Sequence, residues 1–218
     1  MPEADLRERR RAGYETARPD VQALVPRSAR AILDLGCASG ALGAALKQRQ
    51  PARVVGVELD GAYAAAAAEH LDAVVNAGVE DALRDGDLGS FDCVVAADVL
   101  EHLVDPWSAL RAAAALLRPG GAAVVSVPNV RSLETLLELG VRGRWPRVDE
   151  GLFDRTHLRW FALADARGLI EQAGLAVEHV EPRHFYAGWQ LRVAELLGRT
   201  ALAPLVTGQY ILLARKPG

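Results

Sequence analysis

Ile32-Leu33-Asp34-Leu35-Gly36-Cys37-Ala38-Ser39-Gly40 is an apolar run that breaks into a turn of small residues. Gly36 and Gly40 let a ligand approach backbone where a Cβ would collide. The turn alone fits two nucleotide chemistries, because dinucleotide enzymes place G-x-G-x-x-G at the same point. Asp34 separates them. A carboxylate there would face a pyrophosphate, and like charges ~4 Å apart cost roughly 4 kcal/mol at an effective dielectric of 20. A cofactor with positive charge and no phosphate turns the same acid into an attraction. Glu58 ends the next apolar run, Val54-Val55-Gly56-Val57, where a carboxylate accepts two hydrogen bonds from a ribose diol in either chemistry; a surface acid is the alternative.

These groups need rigid elements to aim them. Ala31–Leu35, 53–57, 73–75, 93–97 and 122–127 read as strands, four of them nearly continuous apolar runs of the kind buried in parallel sheets. Helical spacing falls between them at 41–48, 62–71 and 106–117, the last closed by Pro119-Gly120-Gly121. The alternation predicts a doubly wound α/β/α domain spanning 1–218. Ligand belongs beyond the carboxyl ends of its central strands. Residues 1–28 read as a helical cap, with Leu6, Tyr14, Val21 and Leu24 inward. Residues 129–160 read as a lid inserted after the fifth strand, with a helix at 132–139. A helix at 162–173, a strand at 175–180, a helix at 189–199 and a strand at 209–214 follow, giving seven strands with the last antiparallel.

Half of the 218 residues are hydrophobic and the formal charge is −3, which fills one core and leaves no broad basic surface. Arg7, Arg9, Arg10 and Arg11 alternate with acids and read as a solvated helix face, so no nucleic-acid partner is expected. The charged N-terminus is no signal peptide, and no run is long enough to span a bilayer; the expected location is the cytoplasm. Cys37 and Cys93 read as small core residues. The apolar stretch 189–206 is expected to pack on the sheet or against a second copy, in a monomer or homodimer, rather than on a membrane.

Over nearly its whole length the chain resembles the class I S-adenosylmethionine-dependent methyltransferases. Asp34, Gly36, Ala38 and Gly40 match that family's D-x-G-x-G-x-G loop, with Ala38 where glycine is usual. The resemblance implies a Rossmann-like sheet, S-adenosylmethionine as cofactor and S-adenosylhomocysteine as product. It places Cys37 in the cofactor loop, Glu58 on the ribose and Leu59 beside the adenine. Gly78 stands where many relatives carry an acid for the adenine, which leaves the Val79 amide, Glu80 or Asp81 for that contact. The run Asp98-Val99-Leu100-Glu101-His102-Leu103-Val104-Asp105-Pro106, followed by Arg118-Pro119-Gly120-Gly121, is similar to quinone-biosynthesis and natural-product or sugar methyltransferases. Ala97 and Asp98 then meet the methionine part of the cofactor. Some quinone methyltransferases bind a divalent cation through an acid-x-x-Glu-His cluster, matched by Asp98, Glu101 and His102; a capping or salt-bridge role for Glu101 is the alternative, and no metal is the expectation.

Methyl transfer is an in-line displacement, so the protein mainly aligns the reactants. An alcohol or phenol acceptor benefits from a base, which an amine can do without. His157, within Gly151-Leu152-Phe153-Asp154-Arg155-Thr156-His157-Leu158-Arg159-Trp160-Phe161, is the first candidate base and His102 the second. The alternative is that His157 and Arg159 tie the lid to the sheet. Tyr14, Trp145, Phe153, Arg159, Trp160, His184 and Tyr186 are candidate acceptor contacts, and Arg142, Arg144, Arg147 and Arg159 are cations available to an acidic or phosphorylated acceptor. The expected reaction is methylation of a small molecule, on oxygen rather than nitrogen because of His157. Two rivals are a binding module without chemistry and a nicotinamide oxidoreductase, the latter opposed by Asp34.

Overall fold

The computed structural model describes residues 15–85, 87–186, 192, 194 and 196–218. Its first strand, β1 (Ala31–Leu35), is buried at every position. On one side lie β2 (Arg53–Glu58) and β3 (Ala73–Asn76); on the other lie β4 (Phe91–Ala97) and β5 (Leu117–Pro128). These five strands are parallel. β7 (Gln209–Arg215) then pairs antiparallel with both β5 and β6 (Ala176–Arg183). The order β3-β2-β1-β4-β5-β7-β6 is the expected seven-stranded sheet with its last strand antiparallel. Winding reverses between β1 and β4, which opens a crevice at their carboxyl ends.

Side chains alternate across the sheet, so each strand feeds two cores. Leu33, Val55, Val94 and Val125 pack with Leu110, Leu169 and Ile170 on one face. Ile32, Val54, Val95 and Val124 pack with Val21, Leu46 and Ala67 on the other. The covering helices are α1 (Pro19–Leu24), α2 (Ala41–Arg49) and α3 (Gly61–Ala68) on the second face. On the first are α4 (Val79–Asp85), α5 (Pro106–Ala115) and α7 (Leu163–Gln172). Cys93 is fully enclosed, and burial pushes its thiol up to about 12, as suits a core residue.

Several boundaries differ from the sequence expectation. The described part of the N-terminal segment has only α1, because Arg18 turns left-handed (φ 46°) directly before Pro19. Tyr14, Leu6 and the arginine run lie outside the described residues, as do 189–191, 193 and 195 of the expected 189–199 helix. α5 stops at Ala115, and Arg118-Pro119-Gly120-Gly121 falls inside β5, where the register shifts between Phe91 and Cys93 of β4. α4 was not anticipated, nor was α8 (Ala203–Val206). The 132–139 helix begins where expected, with Ser132 Oγ accepting from the Thr135 N–H (3.3 Å). After one turn, α6 (Leu133–Thr135), it widens into a π-helical stretch at Leu136–Val141. No helix among the described residues is long and apolar enough to cross a membrane.

Candidate active site

The turn after β1 is strapped to the end of β2. The Gly36 and Cys37 N–H groups donate to Val57 O (2.8 and 3.1 Å), and the Ala38 N–H donates to Glu58 Oε2 (2.9 Å). Glu58 Oε1 accepts from the Asp60 N–H (2.8 Å), so the carboxylate is fixed while each oxygen keeps a second lone pair. A Cβ on Gly36 (φ +70°) would lie 2.9 Å from Val99 Cγ2, so this position takes glycine alone. Ala38 adopts the same left-handed backbone (φ 45°), which costs a non-glycine residue about 1 kcal/mol. Ala38→Gly should therefore raise the melting temperature by about 2–4 °C, less whatever the freer unfolded chain takes back, as read by calorimetry.

Below this turn lies a cleft of about 780 Å³. Asp34, Gly36, Cys37, Ala38, Ala97 and Asp98 line one end. Asp34 is 2 % exposed, and its Oδ2 has no hydrogen-bond partner. Burial, reinforced by the nearby Glu58 charge and opposed by Arg18, raises its pKa to about 7. Asp98, also left-handed (φ 55°), accepts from Arg18, from Ser126 Oγ (2.9 Å) and from Gln209 Nε2. Arg18 also holds Asp20 (3.1 Å), which pairs in turn with Arg183 (3.1 Å). Among the described residues, the three left-handed non-glycine residues, Arg18, Ala38 and Asp98, thus line one cleft, where such strain is characteristically held.

Sequence reasoning missed Arg18, Ser126 and Gln209. Pro19 was a signal for the first, since a residue before proline is pushed out of the right-handed helix. A lone polar side chain in each of two apolar strands was the signal for the others.

At the other end, Glu101, His102 and His157 converge, with one ligand atom of each within 4.8 Å of the others. The two imidazole rings meet edge to face at 4.7 Å. His157 is 8 % exposed; its Nδ1 lies 3.0 Å from Leu152 O, which can only accept, so Nδ1 carries the proton and Nε2 is the basic nitrogen. His102 Nδ1 contacts Thr156 Oγ1 (3.1 Å), whose own proton goes to Asp154 (2.7 Å). Glu101 O accepts the Leu158 and Arg159 N–H groups (2.8 and 3.0 Å), which ties the His157 segment to the end of β4. Both Glu101 carboxyl oxygens are buried without a partner.

The other candidates are spread more widely. Phe153 and Tyr186 line the cleft. Trp145, Arg159 and Trp160 border a second cavity of about 330 Å³ that shares Phe153, Asp154 and His157 with it. His184 Nδ1 donates to Val206 O (2.7 Å) and supports the chain between β6 and α8. Gly40 caps α2, Leu59 is 75 % exposed, Val79 is buried in the core and Glu80 accepts the Asp105 N–H (2.8 Å); none borders the cleft. The arginines do not form an anion site in the cleft. Arg142 and Arg144 are both spent on Glu138, while Arg147 and Arg159 hydrogen-bond backbone carbonyls.

A family model described as "Methyltransferase domain" matches residues 6–180. The chain is 30 % identical, over 90 % of its length and 81 % of the relative's, to a ubiquinone biosynthesis O-methyltransferase of Ralstonia nicotianae. The chain belongs to the S-adenosylmethionine-dependent methyltransferases. A second ubiquinone biosynthesis O-methyltransferase, from Xanthomonas axonopodis, is 32 % identical over 89 % of this chain and 79 % of its own. A solved S-adenosylmethionine-dependent methyltransferase of Archaeoglobus fulgidus superposes with TM-score 0.64 at 19 % identity, covering 96 % of this chain and 91 % of its own. One from Mesorhizobium loti gives 0.63 at 22 % identity, over 92 % and 98 %. These likenesses establish the fold.

The methyltransferase's residues suit its cofactor: buried Asp34 has an unpartnered oxygen that would answer a positive charge, and a cofactor without phosphate would bring nothing to repel it. They do not suit magnesium. Asp98 is engaged by Arg18, Ser126 and Gln209, and the cluster that does form has two imidazoles and one carboxylate rather than the hard oxygen set that ion requires.

Proposed function

We propose that this methyltransferase methylates a hydroxyl of a small molecule held in the cleft between the end of β4 and residues 129–160, which act as its lid. The observation that carries this reading is His157: a buried imidazole whose tautomer is fixed by Leu152 O, so that Nε2 accepts a proton inside the cleft. The names of the two O-methyltransferase relatives support oxygen as the nucleophile. S-adenosylmethionine, when bound, supplies a methyl carbon activated by its sulfonium. Asp34 and Asp98 offer negative charge to the cationic centres of that cofactor, and Arg18 is the guanidinium placed to meet its carboxylate. Glu58 offers its remaining lone pairs to the ribose diol. The lid excludes water, and His157 takes the hydroxyl proton as the oxygen is methylated.

Calorimetry tests the cofactor half. S-adenosylhomocysteine should bind and NAD should not, and Glu58→Ala should weaken the former by about tenfold or more, the worth of a charge-assisted hydrogen bond. Unchanged affinity in that variant would remove Glu58 from the site.

A further inference from the structure

The acceptor half of the cleft carries an excess of negative charge. Glu101, Glu134, Glu138, Asp149, Glu150 and Asp154 line it, and the arginine among its lining residues, Arg144, is spent on Glu138. Arg142 supports the same glutamate, and Arg155 answers Asp149 (2.5 Å). Among the described residues Glu134 and Glu150 have no ion-pair partner. Toward the cofactor end, Arg18 and Arg183 are held by Asp20 and Asp98. Among the described residues, no guanidinium lining this half of the cleft is left unpaired for an anionic acceptor.

A second observation is independent of this charge balance. Glu101 is 1 % exposed and lines the cleft, yet neither carboxyl oxygen has a hydrogen-bond partner. An orphaned buried carboxyl is unfavourable in either protonation state, and a ligand that brings donors removes that cost. Burial, with the Asp98 charge nearby, raises the Glu101 pKa, and a cation docked beside it favours the ionised form; the carboxylate then formed and the accepting Nε2 of its neighbour His157 converge where a ligand must donate. An ammonium has three donors and no acceptor, and it also answers the charge.

We propose that the acceptor is a hydroxylated amine, whose protonated amino group docks on the Glu101 carboxylate while the neighbouring hydroxyl faces His157. The proposal rests on the methyltransferase reading above and narrows its substrate class. During transfer the hydroxyl oxygen bonds to the methyl carbon, the carbon–sulfur bonding pair returns to sulfur, and the hydroxyl proton passes to His157 Nε2. The ammonium keeps its proton throughout.

The test is a histidine-selective NMR titration of the protein saturated with S-adenosylhomocysteine, in a chelator and at matched pH. Five imidazoles contribute signals. The probes are 2-aminoethanol, ethylene glycol and glycolate, which share size and a hydroxyl but differ in charge. 2-Aminoethanol should move the His102 and His157 signals saturably, the other two should not, and Glu101→Gln should weaken the response about 30-fold or more. An equal response to glycolate, no response to the amine, or an amine response indifferent to Glu101→Gln would each overturn the proposal. So would a response to magnesium alone, without chelator, that the amine does not share. The response to S-adenosylhomocysteine is read first: if it is missing, the cofactor reading beneath fails, whereas its presence without an amine response sinks only the amine.

Discussion

At pH 8, Asp34→Asn should melt several degrees above the native protein and bind S-adenosylmethionine at least about tenfold more weakly. The Asp34 carboxyl has a folded pKa of about 7 against an ordinary 3.8, chiefly because it is buried and secondarily because Glu58 repels it. A group raised in this way stabilises the fold while protonated. That contribution is complete below the unfolded value and is lost as pH rises through the folded one, in total about 4 kcal/mol. Asparagine cannot ionise, so the advantage of the variant should shrink toward acid pH. The native affinity for the cofactor should follow the opposite course, rising about tenfold between pH 6 and pH 8 as Asp34 ionises to meet positive charge. A flat pH profile of binding, with equal melting temperatures at pH 8, would show that Asp34 is already ionised in the free protein.

His157→Ala should lower turnover roughly 10²- to 10⁴-fold on a hydroxyl acceptor, the usual worth of a positioned base, with S-adenosylhomocysteine affinity unchanged. The separation follows from the layout, since His157 sits with Glu101 and His102 whereas Asp34 and the β1 turn occupy the other end of the cleft. His157→Gln keeps a polar group and much of the packing; if it retained native turnover, His157 would be a strut for the segment around Leu152 and not a base.

The sheet was legible because buried parallel strands leave continuous apolar runs, and the run 31–35 matches β1 residue for residue. Helix ends were less so. Ala115 to Gly121 reads as a helix closed by glycine, but Leu117 is drawn into β5 by pairing with Phe91, a long-range partner that no local pattern reveals. The β1 turn carries its glycine and acid locally, so Asp34, Gly36, Cys37 and Ala38, which line one cleft with Ala97 and Asp98, could be singled out from the sequence, whereas Arg18, Ser126 and Gln209 reach Asp98 only through the fold. The acceptor end was less legible. Its arginines look like free cations in sequence, and only the fold shows Arg142 and Arg144 clamped on Glu138. Likewise, Asp98 in Asp-x-x-Glu-His spacing suggests a partner of Glu101 and His102, but tertiary structure gives it to Arg18, Ser126 and Gln209, and brings His157 to the pair instead.

β7 lies between β5 and β6 but is made after both. While the chain emerges from the ribosome, β5 therefore waits with a bare hydrogen-bonding edge, and β6 has no neighbour in the sheet. Gln209, which completes the cradle around Asp98 and reaches Arg18 from 191 positions away, arrives in the same late stretch. A nascent chain can assemble β1 to β4 early, yet the cradle around Asp98 closes only after β7 has been made. Closure of so distant a contact is slow, and it leaves the half-made sheet open to chaperones or to edge-to-edge aggregation until then.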